Sequence, residues 1–230
     1  MRVFVSWSGG KDCSFARYLG ERDGLDVRYL LNMVSEDGQR SWSHGLSPEV
    51  LEAQARAMEI PLVRHRTTQA DYEAEFKKEL HAFKEAGVTG GVFGDIDFEP
   101  HREWVTRVCN EAGIQPILPL WGLAQDKIMG DFVAGGFKAT VIVTKAELMG
   151  EEWLGRTVDG DFIRDLQELI RTKPMTLCGE AGEYHTLVTD GPNFKKRLEL
   201  QQTDKILREG YWFLDILKYG LRGKQVEIFG

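Results

Sequence analysis

Two short segments of this chain concentrate residues fit for chemistry. The first reads Ser8-Gly9-Gly10-Lys11-Asp12. Its two glycines permit a tight turn and bring backbone amides close to an anion. A helix opening directly after it adds a partial positive charge at its N-terminus. Lys11 supplies a mobile full charge and Ser8 a hydroxyl donor. Together these groups suit a phosphate or pyrophosphate. The spacing is neither that of the Walker loop nor that of the dinucleotide fingerprint. An isolated Gly-Gly-Lys reads as a glycine turn with a surface lysine. Its place between a strand and a helix, flanked by Ser8 and Asp12, favours phosphate binding.

The second segment, residues 178–186, reads Cys-Gly-Glu-Ala-Gly-Glu-Tyr-His-Thr. Small residues let backbone approach a ligand, and the paired carboxylates Glu180 and Glu183 suit Mg²⁺ or an incoming amine. A solvated acidic turn is the simpler reading of two glutamates. Tyr184, His185 and Thr186 crowd an aromatic ring, an imidazole and a hydroxyl beside them, which a mere turn does not need.

The elements that position these segments alternate. Residues 2–7, 27–34, 62–66, 90–93 and 115–118 are short β-prone runs,. Between them lie amphipathic stretches at 12–21, 49–59, 71–86 and 101–112, the second opened by Pro48 and the last closed by Gly113,. This order predicts βαβ units and a mainly parallel sheet with helices on both faces. Ligands on such sheets sit beyond the carboxyl ends of the strands. Three polar or glycine-rich turns, at 8–12, 35–44 and 94–102, fall at those ends and predict one cleft built from separate loops.

The pattern changes after Pro119-Leu120-Trp121. Residues 126–133 and 161–171 read as helices and 139–143 as a strand, while the chain from Phe194 onward has no clear assignment. The expected division is 1–122 and 123–230, the second part a smaller α+β domain.

Composition narrows the function. The chain has 230 residues, 42% hydrophobic and 28% charged, with a formal charge of −7. That is an ordinary globular balance, long enough for a core without staples. A sequence pI near 5.4 is the wrong footprint for a general nucleic-acid binder. No apolar run reaches the roughly 18 residues of a membrane span, and no secretory leader precedes Ser8. Cys13, Cys109 and Cys178 show neither zinc spacing nor a disulfide framework, so a cytoplasmic setting is expected.

The first loop resembles the pyrophosphate loop of the N-type ATP pyrophosphatase superfamily, whose members cut ATP between the α- and β-phosphates. Cys13 stands where that superfamily usually has serine. Residues 178–186 resemble a segment characteristic of the diphthine–ammonia ligase family, also called diphthamide synthase. The likeness covers almost the whole chain: Gly94-Asp95-Ile96, His101-Arg102, Pro119-Leu120-Trp121 and Gly136-Phe137 stand in the family's order. It implies a Rossmann-like nucleotide domain of the adenine nucleotide alpha hydrolase type, followed by a family-specific domain. The implied reaction is ATP-dependent amidation of a carboxylate by ammonium, with AMP and pyrophosphate released, as in the last step of diphthamide synthesis on elongation factor 2. The chain departs from the diphthine-type pattern at His185, where such members usually carry Glu. It departs again at His44-Gly45-Leu46, where they have a His-Thr-Pro-Asn-like stretch. Both features look more like a sister branch proposed to act in cobalamin salvage.

The resemblance implies ATP and Mg²⁺ as cofactors. Ser8, Gly9, Gly10, Lys11 and Asp12 would hold the pyrophosphate end, with Lys11 stabilising the leaving charge. Asp12 and Asp95 are Mg²⁺ candidates; a helix cap for Asp12, and a ribose contact or turn for Asp95, are the competing readings. Met33 suits adenine or the core, and His44 suits nucleotide, substrate or solvent. His101 and Arg102 suit phosphate or the substrate carboxylate, against a surface ion pair for Arg102. Glu180, Glu183, Tyr184, His185 and Thr186 are the substrate and ammonia residues, with Glu180, Glu183, His185 and Lys11 catalytic. Trp104 and Trp121 read as packing residues. Free ammonium is the expected donor and a homodimer the expected assembly. Competing functions are the same chemistry on a corrinoid carboxylate, tRNA thiolation, and a nucleotide sensor without catalysis.

Overall fold

The structure is a computed structural model that describes residues 1–37 and 46–224. Its first half is a five-stranded parallel sheet in the order β3-β2-β1-β4-β5. The strands are β1 (Arg2–Ser6), β2 (Asp26–Val34), β3 (Leu62–Arg66), β4 (Gly90–Val92) and β5 (Gln115–Ile117). Central β1 is buried on both faces: Val3, Phe4 and Val5 are fully inaccessible, which is why its sequence is a continuous apolar run.

Helices α1 (Lys11–Arg22) and α2 (Pro48–Met58) cover one face, and α3 (Tyr72–Glu85) and α4 (Glu99–Ala112) the other. Phe4 forms the floor of the second face, stacked on Phe83 at 5.0 Å and edge-on to Phe93 at 5.8 Å. Truncating such a ring costs about 3–5 kcal/mol.

The chain runs β1-α1-β2-α2-β3 to one side of β1, then crosses back through α3 to β4 on the other. This leaves a crevice between the carboxyl ends of β1 and β4, the topological switch point of the sheet. The glycine-rich loop and Gly94-Asp95 therefore face one another.

A second sheet follows, antiparallel and ordered β7-β6-β9-β8. It contains β6 (Lys138–Lys145), β7 (Tyr184–Asp190), β8 (Lys196–Arg208) and β9 (Tyr211–Gly223). Helices α5 (Gln125–Ala134) and α6 (Gly160–Ile170) accompany it, the latter capped by the Asp159 side chain, which accepts from the Phe162 amide,. Phe132 and Phe137 meet Phe15 of α1 edge-on at 6.1 and 5.9 Å, so one apolar core joins the two sheets.

The chain from Phe194 onward, which the sequence left unassigned, forms β8 and β9. Register shifts at Leu200/Gln202 and Gln202/Thr203 break the period-two pattern,. Most of β8 beyond Leu200 is solvent-exposed, so no apolar face marks it. Among the described residues no helix is long and apolar enough to cross a membrane.

Candidate active site

The phosphate loop is shaped by its neighbours as much as by its own residues. Gly9 adopts φ +84°, and a Cβ there would lie 2.6 Å from Leu51, so only glycine fits without strain. Its carbonyl accepts from the Gln54 side chain and from the Val188 amide, each at 2.9 Å. Gln54 is wholly buried and saturated: its other donor bond reaches the Val188 carbonyl at 2.7 Å, and its oxygen accepts from the Trp7 indole at 2.9 Å. Gly94 brings the β4 loop onto α1 so closely that a Cβ would meet the Cys13 backbone nitrogen at 2.7 Å.

β7 carries the second segment into the same crevice. The Lys11 amide donates to the Thr186 hydroxyl at 3.1 Å. The Lys11 ammonium donates to the Cys178 carbonyl and to the Asp12 carboxylate, and lies 5.2 Å from the centre of the Tyr184 ring. The mobile charge expected of Lys11 is instead a braced one, 3% exposed. Burial opposes the charge of Lys11, but Asp12 beside it holds the amine above the ordinary lysine range,.

Ser8, Lys11, Asp12, Met33 and Asp95 line one cleft of about 310 Å³. His101, Glu180, Tyr184, His185 and Thr186 line it too. Burial pushes Glu180 up to about 7, helped by the charges of Asp12, Asp97 and Asp95 and opposed by Lys11. A carboxyl so placed is protonated about half the time near neutrality, the poise of a general base. His185 is pushed down to about 4 by burial and then by Lys11, so its imidazole is neutral. His101 is raised through its 3.1 Å hydrogen bond to Asp95. Burial also raises Asp12 against the pull of Lys11. Its Oδ1 is buried and has no hydrogen-bond partner among the described residues. Such an oxygen suits a divalent cation shared with phosphate, a mode that needs only one or two protein carboxylates. Accordingly, no group of three or more ligating side chains is found among the described residues.

With this geometry in view, family comparison is decisive. Residues 1–116 match the diphthamide synthase N-terminal domain and residues 124–221 the diphthamide synthase C-terminal domain. The chain belongs to the diphthamide synthase family.

A diphthine–ammonia ligase of Rattus norvegicus is 26% identical over 99% of this chain and 93% of its own. One of Schizosaccharomyces pombe is 29% identical over 89% of this chain, which spans 36% of that longer protein. A solved structure of a predicted subunit of tRNA methyltransferase from Methanocaldococcus jannaschii overlays with a TM-score of 0.46 at 16% identity. It covers 84% of this chain and 98% of that one, an overlap too loose to bear on function.

Glu183 and Arg102, both singled out in the sequence, do not line the cleft of this diphthamide synthase family member. Glu183 is 1% exposed; its carboxylate accepts from the Thr176 amide at 2.5 Å and the Ala181 amide at 2.8 Å. It staples the loop that presents Glu180, which departs from the catalytic role expected of it. Arg102 lies 4.9 Å over the Trp121 ring and pairs with Glu99 at 3.5 Å, the surface pairing rather than a cleft contact. His44 lies outside the described residues. Gln54, Asn32 and Tyr72 carried no sequence signal. Gln54 sits between two alanines on a helix, where a glutamine ordinarily faces solvent. Asn32 lies within an apolar strand and donates to the Trp7 carbonyl at 2.7 Å.

Proposed function

We propose that this chain is an ATP-dependent carboxylate–ammonia ligase that amidates diphthine on elongation factor 2. One observation carries the reading: the anion loop and the Glu180 loop are joined through Lys11, whose amide meets Thr186 and whose ammonium meets the Cys178 carbonyl. A nucleotide phosphate and a second reactant would thus be held at one point.

ATP would activate the substrate carboxylate with loss of pyrophosphate, and AMP would leave as ammonia takes the acyl group. The loop amides beside that of Lys11, which Thr186 holds, and the fixed charge of Lys11 would meet the departing pyrophosphate, and preorganised charge is usually the largest catalytic contribution. Asp12, through its unpaired Oδ1, and Asp95 would hold Mg²⁺. Met33, at the end of β2, would sit against adenine. Glu180 would take the proton from ammonium, while the neutral His185 orients the carboxylate.

His185 supports a second reading, in which the same chemistry acts on a corrinoid carboxylate. Thiolation of tRNA fits less well. Burial pushes the Cys178 thiol up to about 12, so it is not a thiolate at neutral pH. A sensor would not need a Glu180 poised near neutrality.

The test is Lys11→Met. Below the temperature at which the variant, lacking the partner of Asp12, begins to melt, pyrophosphate release should fall at least about 10²-fold; unaltered turnover in the folded variant overturns the reading. Comparing diphthine-bearing elongation factor with corrinoid carboxylates then decides the substrate.

A further inference from the structure

The mouth of the cleft carries a surface that the chemistry inside does not use. Among the described residues, Phe98 is the one Phe, Tyr or Trp side chain that is exposed, at 51%. It stands immediately before α4, edge-on to His101 at 5.3 Å, and His101 lines the cleft. One turn along, Arg102 covers the half-buried Trp121 ring and is held there by Glu99. An exposed ring and a stacked guanidinium thus flank the entrance.

Hydrogen bonds tie three segments into one rim. The Gly122 amide donates to the Ile96 carbonyl at 2.8 Å. The Gln125 side chain donates to the Asp97 carboxylate and accepts from the Cys178 amide, each at 2.8 Å. The start of α4, the turn after Trp121 and the Glu180 loop therefore keep a fixed relation, and a partner meets them without having to order them. The rim is also acidic. Asp97, Glu99 and Asp126 are exposed. Arg102 is matched by Glu99, and Lys127 by Asp131 at 2.6 Å. Asp97 and Asp126 are left with no cationic partner among the described residues.

We infer that this rim is the docking surface for a protein substrate, which it grips through a basic segment, with Phe98 and the Arg102–Trp121 pair as anchors. The inference rests on the protein-substrate form of the ligase reading and adds the surface that recognises the partner. Aromatic and arginine side chains carry most of the energy of protein contacts. A small carboxylate entering the cleft passes the rim and leaves Phe98 in water. A polypeptide that inserts one side chain has to cover the rim. The unmatched carboxylates favour lysine and arginine on that polypeptide and steer its approach. They repel a phosphate backbone, so nucleic acid does not suit the surface.

The experiment uses the full chain and two probes, diphthine-bearing elongation factor 2 and the free diphthine amino acid. The variants are Phe98→Ser and Asp126→Asn. Serine is a favoured residue directly before a helix, so Phe98→Ser keeps α4. Binding of labelled elongation factor, read by fluorescence anisotropy without ATP, should weaken about 10-fold in Phe98→Ser. The KM for that substrate should rise alike, with kcat and the KM for ATP unchanged. Asp126→Asn should weaken binding less and flatten its decline with added salt, because exposed charges are screened. With the free amino acid, neither variant should alter KM. Elongation factor that fails to bind, or binds both variants as it binds the unaltered chain, overturns the inference. A KM for the free amino acid that rises equally in Phe98→Ser also overturns it and makes Phe98 part of the reacting site. Binding needs no turnover, so failure of the ligase reading would show as absent pyrophosphate release with the Phe98-dependent binding intact.

Discussion

The amide of Lys11 and the hydroxyl of Thr186 are hydrogen-bonded at 3.1 Å across 175 residues of chain. Both partners are buried, at 3% and 2% exposure. Thr186→Val keeps the shape and removes the acceptor, leaving a buried N–H unpaired. We expect a loss of about 1–3 kcal/mol in urea unfolding and a raised KM for ATP, because Thr186 fixes the loop that would meet the phosphates in the proposed reaction. An unchanged KM would separate this bond from nucleotide binding.

The pH profile should report Glu180. As a base it works deprotonated, so kcat/KM should climb through about pH 7, where burial and its acidic neighbours place it. Glu180→Gln should remove that limb and slow the reaction by about 10²-fold or more. A profile that keeps its limb in the variant assigns the titration to another group.

Glu183 predicts a different phenotype from its neighbour three residues earlier. Glu183→Gln retains only one acceptor for two amide donors. It should cost about 1–3 kcal/mol of stability and speed hydrogen exchange at the Thr176 and Ala181 amides. If stability is untouched while amidation fails, Glu183 acts on substrate after all.

His185 makes stability acid-sensitive. An unfolded histidine takes up a proton near 6.5, while the folded one resists until about 4. The unfolded state therefore binds more protons between those values, and stability falls as pH drops through that window. His185→Gln should flatten the melting temperature between pH 6.5 and 4. A slope identical to that of the unaltered protein would mean the imidazole is protonated in the folded state.

What the sequence revealed, and what it hid, follows from how locally each feature is encoded. The parallel sheet was legible because β1 to β5 are short apolar runs separated by amphipathic helices with clear punctuation at Pro48 and Gly113. The glycine turn that opens α1 was legible because glycine, lysine and a strand–helix junction coincide. Gln54 was not, because its partners Gly9, Trp7 and Val188 are brought to it only by the tertiary fold. Glu183 and Glu180 are indistinguishable in sequence; the backbone turns one inward onto amides and the other into the cleft. The β8–β9 ribbon was obscured by its register shifts and exposed outer half. Lys11 was read as mobile because nothing nearby in sequence reveals the Cys178 carbonyl that holds it.

The bonds from Val188 and Gln54 to Gly9 also constrain the order of biosynthesis. The glycine-rich loop is synthesised well ahead of the Thr186 hydroxyl and the Val188 amide, the former 175 residues further along the chain from Lys11. Domains tend to fold in order of synthesis, so the nascent first half holds its anion cradle without two of its struts.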